Sequence, residues 1–419
     1  MINLRANKHT IMTVSPLSHP WDDVGYSTLE DEDESQQTLV ETIHSALGSA
    51  LSKASFTADR GSSDKYAEVF EMVLSQLKEY VMRVAENYHS AHFHSFRHAA
   101  QVFLNAYHLV ELAMTHPGTW SMSSAHAFCL LFCALIHDID HHGLTNTQMI
   151  KENVNGLSTK YSDGSLAEHN SIDLALTILQ EPQFNDLHEA ICRLKLYNRS
   201  VDNNLDAFTR MVTALVLSTD IMSAERMATN RSKWNKTFNI KVDLSSENAD
   251  VRDESILENL LQLADVGHCT QRWETFVLWN QRLLTELVSA AAKGKGADPS
   301  DVWFNGQTSF FDNYIIPLSE RIRMGNIFSQ DISDTFLFGA IRNKMKWKEE
   351  GAVLCQRMKE VAHEASLQAT TSIDSDLDDE NRALIVSSDK AAKDRLSLSS
   401  TVPSTENNST ESQPNIWSR

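Results

Sequence analysis

The sequence predicts an all-α protein, and three observations carry that expectation. Apolar residues recur at helical spacing: Val69, Val73, Leu77, Val81 and Val84 fall on one stripe of an amphipathic helix. Alternating apolar and polar runs, the mark of half-buried strands, are nearly absent. The most apolar run, Ala127 to Ile136, is about half the roughly 20 residues a membrane span needs, so it reads as a buried core helix.

The elements follow in order. Residues 1–64 are mixed and polar, an N-terminal segment expected to be partly disordered, and Glu30-Asp31-Glu32-Asp33-Glu34 reads as a solvated acidic face. Helical periodicity begins near Lys65. Pro117-Gly118 marks a turn, Ser123 or Ser124 caps the apolar helix, and Gly143 stops it. Residues 172–179, 208–217, 256–264 and 276–287 are further apolar-rich helical segments. From Ser366 onward Ser, Thr, Asp and Asn dominate, as in Ser397-Leu398-Ser399-Ser400-Thr401. Such a tail buries too little apolar surface to offset its ordering entropy and is expected to be disordered. The folded domain is therefore placed at 65–365, with a tail at 366–419, and no internal repeat is found.

Composition narrows the function. At 42% hydrophobic and 22% charged residues, the chain has the make-up of a soluble globular protein. Its net charge of −19 repels phosphate polyanions, which argues against nucleic acid as a partner. A small anionic substrate stays open if metal ions supply local positive charge. The five cysteines form no CxxC pair, which argues for a reducing, cytoplasmic setting and against a disulfide framework. No membrane span or secretory signal is expected.

Histidine is the informative residue: ten of seventeen lie between His89 and His142. In Ile136-His137-Asp138-Ile139-Asp140-His141-His142-Gly143, an apolar helix delivers a His-Asp pair at its end. A buried carboxylate must be paired or bound to metal, and imidazole and carboxylate together suit divalent cations. His94 and His98 are spaced to share one helix face, one for metal and one for substrate. Asp265 follows the apolar run Leu263-Ala264; alone it reads as a cap or an ion-pair partner. Together His98, His137, Asp138 and Asp265 make an HD-type metal set.

The order of these motifs, over roughly residues 65–350, resembles the catalytic domain of the class I cyclic nucleotide phosphodiesterases. The family signature Tyr-His-Asn-x-x-His-Ala-x-Asp-Val is matched by Phe93 through Val102, with Phe93 for tyrosine and Gln101 for aspartate. His-Asp-x-x-His-Pro-Gly-x-x-Asn is matched by His137 through Asn146, with His142 for proline. Ser165 through Asn170, Ser218-Thr219-Asp220 and Ala264-Asp265 resemble the remaining motifs. In Gln307-Thr308-Ser309-Phe310-Phe311-Asp312-Asn313-Tyr314-Ile315-Ile316-Pro317, the glutamine, phenylalanine, aspartate and proline stand at the family's offsets. Where the family has Asp-Leu-Ser-Asn-Pro, this chain has Asp265-Val266-Gly267-His268-Cys269.

The resemblance implies an all-α domain that hydrolyses cyclic AMP or cyclic GMP to the 5′ monophosphate. It implies two divalent cations, a tightly held zinc and a more exchangeable magnesium or manganese, held by His98, His137, Asp138 and Asp265. His94 is implied as the general acid, His141, Glu168 and Thr219 as residues that position phosphate and bound water, and Gln307 and Phe310 as the purine pocket. An amide carries both donors and an acceptor for a purine edge, and a phenyl face stacks on a base. Phe311 is expected to be a core aromatic. The partner is a small cyclic nucleotide, and a homodimer is left open. The competing readings are another HD-type phosphohydrolase, an HD-type di-iron oxygenase and a nucleotide-binding scaffold without turnover. Removing residues 366–419 should leave turnover largely intact, because the segment adds little to a packed core. Loss of soluble, folded protein on that truncation, read by circular dichroism, would refute the boundary.

Overall fold

One helix organises the fold, and its sequence says why. Between Ser124 and Ile136 every residue from Ala125 on is buried, so the segment is apolar on all faces and must be surrounded by other helices. Ser123 caps it, its side chain accepting the His126 N–H at 3.0 Å. The computed structural model describes residues 20–24, 35–55, 64–197, 204–238 and 246–397. The α-helices, in chain order, are α1 (Gln36–Ser55), α2 (Asp64–Glu86), α3 (Phe96–Thr115), α4 (Ser124–Ile136), α5 (Asn146–Glu152), α6 (Leu157–Lys160), α7 (Leu166–Leu179) and α8 (Asn185–Cys192). They continue with α9 (Asn204–Leu217), α10 (Ala224–Phe238), α11 (Ser246–Asp265), α12 (Trp273–Ala292), α13 (Trp303–Phe310), α14 (Ile316–Met324) and α15 (Gln330–Ser397). Around α4 pack α1, α3, α7, α9 and α11. Among the described residues there is no strand beyond a single bridge between Pro117 and Phe328. The expected turn at Pro117-Gly118 sits at this bridge. A Cβ on Gly118 would come within 1.9 Å of the Asn326 carbonyl oxygen, so only glycine fits.

The chain divides into two units, Met1–His363 and Glu364–Arg419. The second is helical through Ser397, and residues 398–419 of the expected disordered tail lie outside the described residues. In the N-terminal segment, residues 1–19, 25–34 and 56–63, including the acidic run, also lie outside them. The rest of that segment packs into the core. Leu39, Val40, Ile43, Leu47 and Leu51 of α1 are buried, and they recur at the three- and four-residue steps of one helix face. The stripe read in α2 holds for Val73, Leu77, Val81 and Val84, whereas Val69 is exposed.

Upstream of α1, the single turn Pro20–Asp23 inserts Trp21 fully into the core. The indole Nε1 donates to Thr270 Oγ1 at 2.8 Å, and the ring meets the Phe336 ring edge-on with centroids 5.0 Å apart. Gln101 Nε2 donates to the Val24 carbonyl at 3.1 Å, and Asp22 pairs with Arg342 at 3.0 Å. Trp21 therefore locks the turn that follows α11 against α3 and α15. Trp21→Ala should cost about 3–5 kcal/mol, the usual range for a buried aromatic. Urea unfolding measures it, and a loss under about 1 kcal/mol would show that Trp21 is not a core residue.

Candidate metal centre and catalytic site

Three helix ends deliver the four HD residues to one place. His98 lies in the first turn of α3, His137 caps the C-terminus of α4 with Asp138 next to it, and Asp265 is the last residue of α11. His98 Nε2 is 3.1 Å from Asp265 Oδ1 and 3.6 Å from Asp138 Oδ2, and His137 Nε2 is 3.1 Å from Asp138 Oδ2 and 3.5 Å from Asp265 Oδ1. Burial opposes charge here, yet Asp138 and Asp265 hold the His137 imidazole well above its ordinary pKa, while burial holds His98 below it. Asp138 and Asp265, against the same burial, are held below the carboxylate range, chiefly by His137.

The donor set fits a divalent cation. Ligands bound at about 2.0–2.2 Å around one ion lie roughly 3–3.5 Å from one another, close to the four imidazole–carboxylate spacings found. His137 Nδ1 sits 3.1 Å from the Ala134 carbonyl, to which it donates. That bond fixes the tautomer of the neutral ring, so that once the Nε2 proton is given up to a cation the lone pair points inward, at an atom with no hydrogen-bond partner among the described residues. Asp265 is steadied from behind: Asn105 Nδ2 donates to the Ala264 carbonyl at 2.7 Å, and its Oδ1 accepts from Gln101 and Gln271. Gln101, which stands where the family has aspartate, thus works through Asn105.

The expected helix face shared by His94 and His98 is corrected by the structure. Helix α3 starts at Phe96, after an extended Ser95 (φ −118°, ψ 170°), so His94 precedes the helix. The reason is Glu286 of α12. Its Oε2 accepts the backbone N–H groups of Phe93 (2.8 Å) and His94 (3.0 Å), and its Oε1 accepts from His94 Nδ1. One carboxylate therefore holds this loop in a non-helical form. Burial opposes charge on His94, but Glu286 beside it raises the imidazole to about 9; burial raises Glu286, but His94 brings it to about 2. Gly143 lets its turn approach Glu286: its φ is +67°, and a Cβ there would lie 3.3 Å from the Glu286 carboxyl carbon.

The remaining residues fall around this pair. The His141 ring stacks on His94 at 3.8 Å, and burial, then the charge of His94, holds His141 at about 3. Glu168 accepts from Asn146 Nδ2 at 2.9 Å, and burial, then Asp220, raises it to about 7. Asn146 Nδ2 also donates to Asp220 Oδ2 (3.2 Å), which accepts from Ser165 Oγ at 2.7 Å. Thr219 Oγ1 donates to the Val216 carbonyl (2.8 Å), so in this stretch Asp220, not Thr219, joins the Glu168 network. His268 is buried; burial and then the neighbouring His98 hold it at about 3.

Gln307 and Phe310 lie on α13. Gln307 is buried, and no hydrogen bond holds its amide among the described residues. Phe310 is half-buried, stacked on Tyr314 with centroids 5.4 Å apart. Phe311 is a core aromatic, as expected, packed on Phe276. Pro317 has no N–H to give and crowds the carbonyl four residues back, and the helix widens into a π-turn over Phe311–Ile315. Tyr314 in that turn donates to Gln262 Oε1 (3.2 Å) on α11, the helix that ends in Asp265. No hydrogen bond or ion pair links Gln307 or Phe310 to the four-donor cluster among the described residues.

Sequence reading missed Glu286, Asn146 as a linker and Asp220 as the member of its motif that joins the Glu168 network. Glu286 carried one signal, a lone acid between Leu283-Leu284 and Leu287-Val288 on an apolar helix.

An all-α body carrying a His/Asp cluster beside a histidine–glutamate pair is the class of fold and site that the motifs led one to expect. A match to the 3′5′-cyclic nucleotide phosphodiesterase family covers residues 93–331, more than half of the chain, and the chain belongs to that family. Relatives include a probable 3′,5′-cyclic-AMP phosphodiesterase of Caenorhabditis elegans, 26% identical over 265 residues, covering 60% of this chain and 37% of the relative. A high-affinity cGMP-specific 3′,5′-cyclic phosphodiesterase of Drosophila melanogaster is 24% identical over 342 residues, covering 80% of this chain and 21% of the relative. The chain thus spans well under half the length of either. The phosphodiesterase domain of the RhoPDE fusion protein of the choanoflagellate Salpingoeca rosetta shares the fold. Its TM-score is 0.58 at 20% identity, covering 81% of this chain and 96% of that one. No described helix is long and apolar enough to cross a membrane.

Glu286→Gln should lower the pKa of His94 from about 9 toward or below the ordinary imidazole value of 6.5, because burial is then no longer opposed by a full charge. An NMR titration of the His94 ring reads this, and an unchanged value would show that the pair does not set the charge of His94.

Proposed function

We propose that the chain hydrolyses the 3′ ester of a purine 3′,5′-cyclic nucleotide to give the 5′ monophosphate. The observation that carries this reading is a pair of imidazoles, His98 and His137, each 3.1–3.6 Å from both Asp138 and Asp265, contributed by three helix ends, next to a histidine held by a buried glutamate. His98, His137, Asp138 and Asp265 would hold the cations, a zinc ion in the tight site and magnesium or manganese beside it. Bound there, the cations offset phosphate charge and make water acidic enough to act as the nucleophile near neutral pH.

The chain's own groups complete the chemistry. His94 is protonated through its pairing with Glu286, which occupies Nδ1 and leaves Nε2 to donate to the 3′ oxygen as the P–O bond breaks. His141, stacked on His94, is kept neutral, and its Nδ1 accepts the Gly143 N–H at 3.1 Å, so it presents the Nε2 N–H to the phosphate without adding charge. Glu168, raised to about 7, is suited to exchange a proton with water at the site. The unengaged amide of Gln307 meets the purine edge, with Phe310 stacked against the base. His268 is a candidate for setting base preference. Thr219 is retained only as a backbone neighbour of Asp220.

Hydrolysis of cyclic AMP and cyclic GMP by the purified chain, supplied with zinc and magnesium, tests the reading, and no turnover of either nucleotide would refute it. His94→Ala should lower kcat by roughly 10²–10⁴-fold, the usual worth of a positioned acid, with metal content unchanged. His98→Ala should lose bound metal as well as turnover. Gln307→Ala acts on ground state and transition state alike, so it should mainly raise KM, by about 1–3 kcal/mol or roughly 5–150-fold. If it leaves both KM values untouched, Gln307 is outside the pocket.

A further inference from the structure

A second cluster of metal-ligating side chains lies outside the four-donor set. His89 stands in the turn after α2, and Asp140 and His142 stand in the turn after α4. His89 Nε2 is 2.7 Å from Asp140 Oδ1. The other oxygen, Oδ2, accepts from Asn170 Nδ2 at 2.9 Å and faces His142 Nε2 at 3.9 Å. The two imidazole rings lie 4.8 Å apart at 31°. One nitrogen of each histidine and one carboxylate oxygen all lie within 4.8 Å of one another.

The carboxylate is held in place before any ligand arrives. Asp140 adopts a φ of +62°, and its N–H donates to the Asn87 carbonyl at 3.1 Å, which brings the turn against His89. Asn170 fixes the orientation of the carboxylate from the far side. The one hydrogen-bond partner of His142 Nε2 is a donor, Asn155 Nδ2, at a long 3.3 Å, so this nitrogen carries its lone pair, in a weak bond that a cation would displace. An ion pair between His89 and Asp140 accounts for two members of this cluster. Between half-exposed groups such a pair adds little to stability. It gives no reason for a second imidazole to converge on the same carboxylate.

We propose that His89, Asp140 and His142 bind a divalent transition-metal ion of the zinc class, at a site separate from His98, His137, Asp138 and Asp265. Two imidazoles and one carboxylate are a donor set that suits zinc, copper and nickel rather than magnesium or calcium. Contacts of 2.7 and 3.9 Å bracket the roughly 3–3.5 Å between ligands of one zinc ion, so small side-chain rotations close the site. The side chains are open to solvent, at 48% for His89, 26% for Asp140 and 23% for His142. Three protein ligands leave a coordination position for water, which makes the ion exchangeable. The ion ties the turn leading to His94 to the turn that carries Asp138 and His141. The site shares no residue with those assigned to hydrolysis, so it stands or falls independently of that reading.

The probe is zinc alone. The wild-type chain, His89→Gln and His142→Asn are equilibrated with micromolar free zinc, and metal per protein is measured by elemental mass spectrometry. Each variant should hold one equivalent less than the wild type while keeping its helical circular dichroism and the metal held by the four-donor set. Equal zinc in all three would overturn the proposal, as would loss of all metal from a folded variant, which would show one site rather than two. A readout on the wild-type chain is independent of whether either variant folds. Zinc should slow carbethoxylation of both His89 and His142 at least tenfold, as mapped by peptide mass spectrometry. Unchanged modification of the two rings at saturating zinc would equally overturn the site.

Discussion

The rest of the structure depends on one constraint: two largely buried imidazoles are each held 3.1–3.6 Å from the same two partly buried carboxylates. Taking such groups out of water costs several kcal/mol each unless the geometry compensates. The scaffold must therefore be stiff, and it is. Helix α4 is buried on every face and ends at His137, so the His-Asp pair is fixed by a helix enclosed on all sides. Asp265 ends α11, whose Ala264 carbonyl is tied to Asn105, and Asn105 belongs to the same helix as His98.

The same logic governs the turn after Asp265. Gly267 lies under Trp21 and Asn105, and a Cβ added there would fall 2.5 Å from Asn105 Nδ2. Asn343 of α15 donates to the carbonyls of Cys269 and Gln271, and Trp21 donates to the Thr270 hydroxyl. The polar groups of this turn thus find partners on α15 and on the segment before α1. A tryptophan far upstream in the chain helps to set where the Asp265 carboxylate points.

Glu286 shows how one buried charge serves two ends. By accepting two backbone N–H groups it keeps residues 93 and 94 out of helix α3, and by accepting from Nδ1 it keeps the His94 ring charged. A His94 on the helix would share a face with His98. Held in the loop, it stacks instead on His141.

The all-α class, the apolar helix α4 and its Ser123 cap, the His137-Asp138 pair at its end and the Gln307 to Pro317 run were all legible in the sequence. They are local: periodicity, capping and motif spacing act over a few turns of chain, and the family resemblance rests on them. What the sequence could not show was set by long-range contacts. It placed His94 on a helix, because i, i+4 spacing carries no word of a glutamate 192 residues away. It left α1 and Trp21 in a polar segment, because their apolar face is recognisable only once α4 is there to cover it. It named Thr219 where Asp220 does the joining, since a hydroxyl satisfied by its own helix looks the same in sequence as one that is free. Helix period and motif order are written residue by residue, whereas the partner of a buried charge is chosen by the packing of elements far apart in the chain.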